Sequence, residues 1–299
     1  MKQIQYFFLA LLLMGIVWSG CKDDDNPITS QLSEAAYEDA AYTIAGAVGD
    51  ENGGATQSVG DLLTFQAVGS LNFVTPTADG GVETVTSDAG TYDPATGWWT
   101  VEISRSKTNN RVTMSLTRTY QFRFWKNNTQ YQQYYVTNND TAVKMELNIV
   151  SGSGYFKNKI VTHHLTQLEG GWLASDINKD TVTITLTKNY VRKGVDSVVT
   201  LRASRIFDHT LTLTSVNLKT LRFKPSQTKP FFEWRDNLAN AISGTIKGNI
   251  TATATITRGD DDKVRTINKD FEITVGGGEG MISMDGRKFK GDMKYGDRP

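Results

Sequence analysis

A strict alternation of apolar residues with threonine and other polar residues runs through most of this chain, and it constrains the fold more than any other feature. Val112, Met114, Leu116, Tyr120, Phe122 and Phe124 alternate with Thr113, Ser115, Thr117, Thr119 and Gln121, and Arg118 alone interrupts the apolar set. Val182, Ile184 and Leu186 alternate with Thr181, Thr183, Thr185 and Thr187, and Leu211 and Leu213 with Thr210, Thr212 and Thr214. Ile246, Ile250, Ala252, Ala254 and Ile256 do the same against Thr245, Lys247, Thr251, Thr253, Thr255 and Thr257. Successive side chains of a strand point to opposite faces, so each run buries one face and solvates the other. Threonine is β-branched and suits the solvated side of a pleated surface. One-sided burial of this kind is the habit of antiparallel sheets.

The runs are long. Ser243 to Arg258 would extend ~50 Å at ~3.3 Å per residue, which fits curved hairpins in a meander better than a small sandwich. Asn109-Asn110, Asn138-Asn139, Lys193-Gly194 and Asp260-Asp261-Asp262 separate neighbouring patterns and read as hairpin turns. Gly248 is the candidate for a bulge, because strand glycines mark bends. Upstream, the period changes. Ala36, Tyr37, Ala40, Ala41, Ile44, Ala47 and Val48 share one helical face, and Val59, Leu62, Leu63, Ala67 and Val68 suggest a second, shorter helix. The expected fold is mainly β: a large antiparallel meander of long curved strands over residues 69–299, forming a half-barrel or roll, with an N-terminal helical hairpin over 33–68.

The first 32 residues are of another kind. Lys2 is followed by an uncharged apolar run from Tyr6 to Trp18, then by the small residues Ser19 and Gly20. This is the layout of a secretory signal peptide over residues 1–20. Cys21, the single cysteine of 299 residues, comes next. A buried structural cysteine does not sit between an apolar run and a block of charges. Trp18-Ser19-Gly20-Cys21 resembles the lipobox of bacterial lipoproteins, with Trp18 in place of the usual aliphatic residue. The resemblance implies that the thiol is lipidated and that Cys21 becomes the new N-terminus. Lys22-Asp23-Asp24-Asp25 resembles the surface-export tether of Bacteroidota-type lipoproteins, which implies an export signal in Lys22, Asp23 and Asp24. Residues 21–32 then form an acidic tether, and the partner so implied is the membrane, reached through the lipid anchor.

With one cysteine there is no disulfide framework. Formal net charge is zero, and removing residues 1–20 takes away one cation, Lys2, leaving −1. No basic excess is present to bind nucleic acid. His163-His164 would point to opposite faces of a strand, and His209 reads as lying at a turn, so no metal site is expected. Gly276-Gly277-Gly278-Glu279-Gly280 reads as a turn, since no Gly-Lys-Ser/Thr follows it. Gly152-Ser153-Gly154 lacks the spacing of a nucleophile elbow. Most acidic residues fall near apparent turns or in the tether. No catalytic residue and no cofactor is therefore assigned.

Aromatic residues are the least ordinary feature. Trp98-Trp99 and Tyr134-Tyr135 are adjacent pairs, so one member of each faces away from its partner. Together with Trp125 they are the candidate ligand-contacting aromatics. The sequence thus leads to a non-enzymatic, lipid-anchored lipoprotein of the outer membrane, facing the cell surface, with a binding or structural role. Two alternatives stand beside it: a carrier of an apolar ligand such as lipid, in which helices cover the mouth of a half-barrel, and a carbohydrate-binding or hydrolytic surface protein. No protein partner or small apolar ligand is identified by any motif.

Overall fold

The computed structural model describes residues 34–50, 52–68, 73–76, 81–108, 112–137, 140–157, 161–199, 204–222, 234, 237–258 and 261–296. The segments expected to be signal peptide and tether, with Cys21, Lys22, Asp23 and Asp24, lie outside these residues, as do the turns expected at Asn109-Asn110 and Asn138-Asn139. Among the described residues no helix is long and apolar enough to cross a membrane.

Among the described residues two helices come first, α1 (Glu34–Val48) and α2 (Ala55–Val68). The strands that follow are β1 (Phe73–Pro76), β2 (Val82–Ser87), β3 (Thr91–Asp93), β4 (Trp98–Thr108), β5 (Thr113–Lys126), β6 (Thr129–Tyr131), β7 (Tyr135–Thr137), β8 (Asp140–Thr141), β9 (Lys144–Lys157), β10 (Val161–Ser175), β11 (Thr181–Val199) and β12 (Ser204–Leu221). A short helix, α3 (Leu238–Ala241), precedes β13 (Ser243–Arg258), β14 (Asp261–Gly276), β15 (Glu279–Met284) and β16 (Arg287–Asp292). Among the described residues fourteen strands make one sheet in the order β1-β2-β4-β5-β9-β10-β11-β12-β13-β14-β15-β16, with β3 beside β4 and β6 beside β5; β7 and β8 form a separate ribbon. The sheet is antiparallel and not closed. The alternation read from sequence is the alternation of burial, as in β5, where every second residue from Met114 to Phe124 is buried.

β11 is the longest strand, at 19 residues. It runs straight through Lys193-Gly194, which is therefore not a turn. Gly194 instead stands opposite His209, and a Cβ there would lie 2.7 Å from His163 Cε1. A side chain there would collide with the His163 imidazole and with the His164 carbonyl oxygen, 2.5 Å from the Cβ position. At Gly248 the register does slip, between Leu213 and Ser215 of the facing strand. A Cβ at Gly248 would stand 2.3 Å from the Thr212 carbonyl oxygen. Comparable slips occur between β5 and β9 at Thr119/Tyr120 and between β11 and β12 at Thr185/Tyr190, with several along β10. These irregularities fall in one band across adjacent strands. Bulges bend strands and sharpen twist, so such a band curls the sheet.

The curled face holds the helices. α1 touches β13 to β16, and α2 touches β9. Tyr37 of α1 donates to Asp285 at the β15–β16 turn (2.6 Å), Arg205 of β12 pairs with Asp39 (2.5 Å), and Arg287 of β16 pairs with Glu34. Phe65 of α2 stacks on Phe122 of β5 at 4.7 Å. Residues 52–66 are all buried. Yet α2 is poor in strong helix formers, with Thr56, Ser58, Val59, Gly60 and Thr64 in its length. Its helicity comes from enclosure, not from intrinsic propensity.

Candidate functional site

The inner face of the sheet is divided in two. Toward one end it is apolar apart from Thr220: Phe122, Phe124, Met145, Leu147, Trp172, Ala174, Val182, Ile184, Leu218 and Ile246 are buried there. Toward the other end the same inward parity carries charge. Following the register from β4 to β13, one row reads Lys107, Met114, Phe156, His163, Asp196, Phe207 and Ala254; the next reads Arg105, Leu116, Gly154, Leu165, Gly194, His209 and Ala252. Arg118 and Arg192 lie one pleat further in. Arg105, Lys107, Arg118, Arg192, Asp196, His163 and His209 are all buried, and so is Asp61 of α2. Charged side chains are rarely buried unless paired and hydrogen-bonded.

Two networks do the pairing. In the first, Asp61 accepts from Arg105 Nη2 at 2.7 Å and from the Tyr120 hydroxyl at 2.8 Å, and stands 3.6 Å from Arg118. Arg118 donates to Tyr120 Oη at 3.0 Å and to the Gly53 carbonyl at 2.6 Å. Glu83, on the rim, reaches Arg105 at 3.4 Å. Burial opposes the charge on Arg105, but Asp61 and Glu83 outweigh it and the guanidinium stays charged. Burial raises the Tyr120 hydroxyl well above its ordinary pKa, so it remains a donor to Asp61.

The second network ties α1 to β10, β11 and β12. His163 and Asp196 face each other across β10 and β11 and are hydrogen-bonded. Thr43 of α1 donates to Asp196 Oδ2 at 3.3 Å, and His209 Nδ1 lies 3.7 Å from the same oxygen. The two imidazoles stack at 5.6 Å. Arg192 donates to the Gly46 carbonyl (2.8 Å) and faces His163 Nε2 at 2.7 Å. Arginine has donors only, so Nε2 of His163 must accept and its proton sits on Nδ1, directed at Asp196. Burial, reinforced by Arg192, lowers the His163 pKa to about 4 despite Asp196. Burial and Arg192 also lower His209, against the pull of Asp196. Burial alone would raise Asp196, but the bond from His163 and the charge of Arg192 hold it below the usual carboxylate range. At neutral pH the cluster is thus two neutral imidazoles, one carboxylate and one guanidinium.

His163, Asp196 and His209 offer ligand atoms within 4.8 Å of one another, a set that could hold a metal ion. A metal would need the Nδ1 lone pair of His163, and the displaced proton on Nε2 would then point at the Arg192 guanidinium. Metal-bound histidines direct their other N–H at an acceptor, and here the neighbour is a donor. The arrangement fits an ion-pair and hydrogen-bond cluster, not a metal centre. Sequence reasoning placed His209 at a turn, whereas it lies inside β12. Asp61 and Asp196, in contrast to the acidic residues expected near turns and in the tether, sit within buried elements.

The aromatic pairs split as their adjacency requires. Trp98 points outward, and the Arg123 guanidinium lies over its ring at 4.2 Å and over Trp125 at 4.6 Å. Glu146 holds Arg123 at 2.6 Å. Trp98 and Trp125 remain half-exposed. Trp99 turns the other way, is stacked with Phe122, and donates through Nε1 to the Gln132 carbonyl at 2.8 Å. Tyr134 is buried and donates to the Ile177 carbonyl, whereas Tyr135 is 63% exposed. Of the five candidate aromatics, Trp98 and Trp125 are brought together by Arg123, and the Tyr134 and Tyr135 rings meet edge to face at 5.0 Å. No family model, curated protein or solved structure matches this chain.

Proposed function

We propose that this chain is a lipid-anchored, exported protein of the outer membrane, facing the cell surface, with a non-enzymatic structural or binding role. Its location rests on Cys21 and on the Lys22-Asp23-Asp24 signal that follows it. The observation that carries the role is the occupation of the inner face. α1 and α2 are packed there, and the residues with most chemical potential, Asp61, His163, Asp196 and His209, hold the helices to the strands. The same observation weighs against a carrier of an apolar ligand, because α1 and α2 already occupy the inner face, with Phe65 stacked on Phe122. Metabolic labelling with a fatty acid should mark the parent protein and not the Cys21→Ser variant. External protease should reach the parent in intact cells, and replacing Lys22, Asp23 and Asp24 with Ala should protect it. Label on the Ser variant, or no cleavage of the parent, would remove the anchored, outward-facing reading.

A second reading, carbohydrate binding on the outer face, draws support from the half-exposed Trp98 and Trp125 beside Arg123 and Glu146. Indole faces and fixed hydrogen-bonding groups are what sugar rings engage. Retardation of the parent in gels cast with surface polysaccharide, lost in Trp98→Ala with Trp125→Ala, would support it. Equal mobility of parent and variant would exclude it.

A further inference from the structure

The two helices are tied to the sheet by different chemistry. α2 is held through Asp61, Arg105, Arg118 and Tyr120, a network without histidine. α1 is held through the cluster that contains His163 and His209: the Thr43 hydroxyl donates to Asp196 Oδ2 at 3.3 Å, and the Gly46 carbonyl accepts from Arg192 Nη1 at 2.8 Å. Histidine is the side chain whose charge ordinarily changes between pH 5 and 8. Both rings are buried, and they lie 5.6 Å apart. β11 sets Asp196 and Arg192 against them, and β12 adds Asp208 beside His209. β9 presents Phe156 opposite His163, and β13 presents Ala252 opposite His209. α1 presents the Thr43 hydroxyl and the Gly46 carbonyl, neither of which titrates in water.

We infer that His163 and His209 form an acid-operated latch on α1: when the imidazoles are protonated, α1 loosens from β10, β11 and β12 while α2 stays docked. The proton added to His163 must go to Nε2, the atom that accepts from Arg192 at 2.7 Å. Two donors then face each other, and the guanidinium so displaced is the one that holds the Gly46 carbonyl. With His209 protonated as well, three cations crowd the single carboxylate of Asp196 in a site shielded from water, where like charges repel strongly. The sign of the response follows from burial. Burial and Arg192 lower His163 to about 4 in the packed form and lower His209 too. Loosening α1 lets water reach both rings, so the loosened form binds protons more readily. The latch is closed above pH 6.5 and opens as pH falls toward 4. Asp39 works in the opposite sense, because burial raises its carboxyl in the packed form; its bond to Arg205, at 2.5 Å, lies nearer the start of α1. The loosening is therefore read beyond it, at the amides from Thr43 to Val48.

The test is native-state hydrogen exchange of the full chain at pH 7 and pH 4.5, each rate divided by the intrinsic rate at that pH. Protection of the amides from Thr43 to Val48 should fall about 100-fold in acid, while that of α2 and of β10, β11 and β12 is kept. His163→Gln combined with His209→Gln should leave the α1 amides equally protected at both pH values. Should that variant not fold, the parent still decides the matter through the ring-proton resonances of its histidines. His163 should titrate with the midpoint at which the α1 amides lose protection, and the exposed His164 serves as the reference. Unchanged α1 protection at pH 4.5, an equal loss across α1, α2 and the strands, acid loosening that persists in the double variant, or a His163 titration that leaves the α1 amides protected would each overturn the inference.

Discussion

The two ends of the inner face are built on one strand geometry and with one parity of side chains, yet they hold the helices by different means. At the apolar end, Ile184 faces Leu218 across β11 and β12, and both are buried in hydrocarbon. At the charged end the same parity carries Arg105, Lys107, Arg118, His163, Arg192, Asp196 and His209. Apolar packing is strong but tolerant of small shifts, since one hydrocarbon contact replaces another. Buried ion pairs add little net stability, but they work only when every member is in place. Asp61 meets Arg105 and Tyr120 in one setting of α2, and Thr43 meets Asp196 in one setting of α1. The difference teaches a division of labour in which the apolar end supplies most of the stability and the charged end fixes where the helices sit.

The sharpest break in that comparison comes from removing one charge. Asp61→Asn leaves Arg105 and Arg118 without their shared carboxylate, and urea unfolding should show a loss of about 3–5 kcal/mol. In a double-mutant cycle with Arg105→Met the two losses should be strongly non-additive, and additivity within about 0.5 kcal/mol would deny the coupling. At the apolar end, Ile184→Ala should cost about 2–5 kcal/mol through lost burial and a residual cavity. No coupling to Arg105→Met is expected there.

Acid should weaken the charged end selectively. The folded pKa of His163, about 4, lies below its ordinary 6.5, so between these values the unfolded chain binds more protons. Stability contributed by this group is complete above pH 6.5 and is lost as pH falls toward 4, to a total of about 3 kcal/mol. Unfolding curves at several pH values should show that slope, and His163→Gln should flatten it. An unchanged slope would mean that other groups set the acid response. The smallest effect belongs to the outer face, where Thr253 is exposed. Thr253→Ala should change stability by less than about 0.5 kcal/mol; a larger loss would show that the outer face is not merely solvated.

Much of the fold was legible because one simple rule, period two, governs it. β13 spans Ser243–Arg258, as its alternation indicates, and the bulge falls opposite Gly248. The charged end was less legible. Arg118 stood out as a charge on an apolar parity, and the same reasoning extended to Arg105 and Lys107 after Val101 and Ile103 would have turned them inward too. Asp196 gave no such signal, because its strand loses clear alternation near Gly194, where the glycine mimics a turn in sequence; His209 did share the apolar parity of Phe207, Leu211 and Leu213. What brings His163, Asp196 and His209 together is the pairing of β10, β11 and β12, a long-range property that no local spacing contains. Asp61 was hidden for a different reason. A polar residue on a short helix is expected in solvent, and here the sheet curls far enough to bury α2 on every side.

The central claim is that α1 and α2 are a fixed part of the domain's core. Native-state hydrogen exchange tests it most directly. If the charged end fixes the helices in place, the amides of α2 from Val59 to Phe65 should exchange only through global unfolding, with protection equal to that of β10, β11 and β12. Exchange of the α2 amides orders of magnitude faster than the strand amides, with the sheet intact, would contradict it: the helices would then be a removable cover over an open trough.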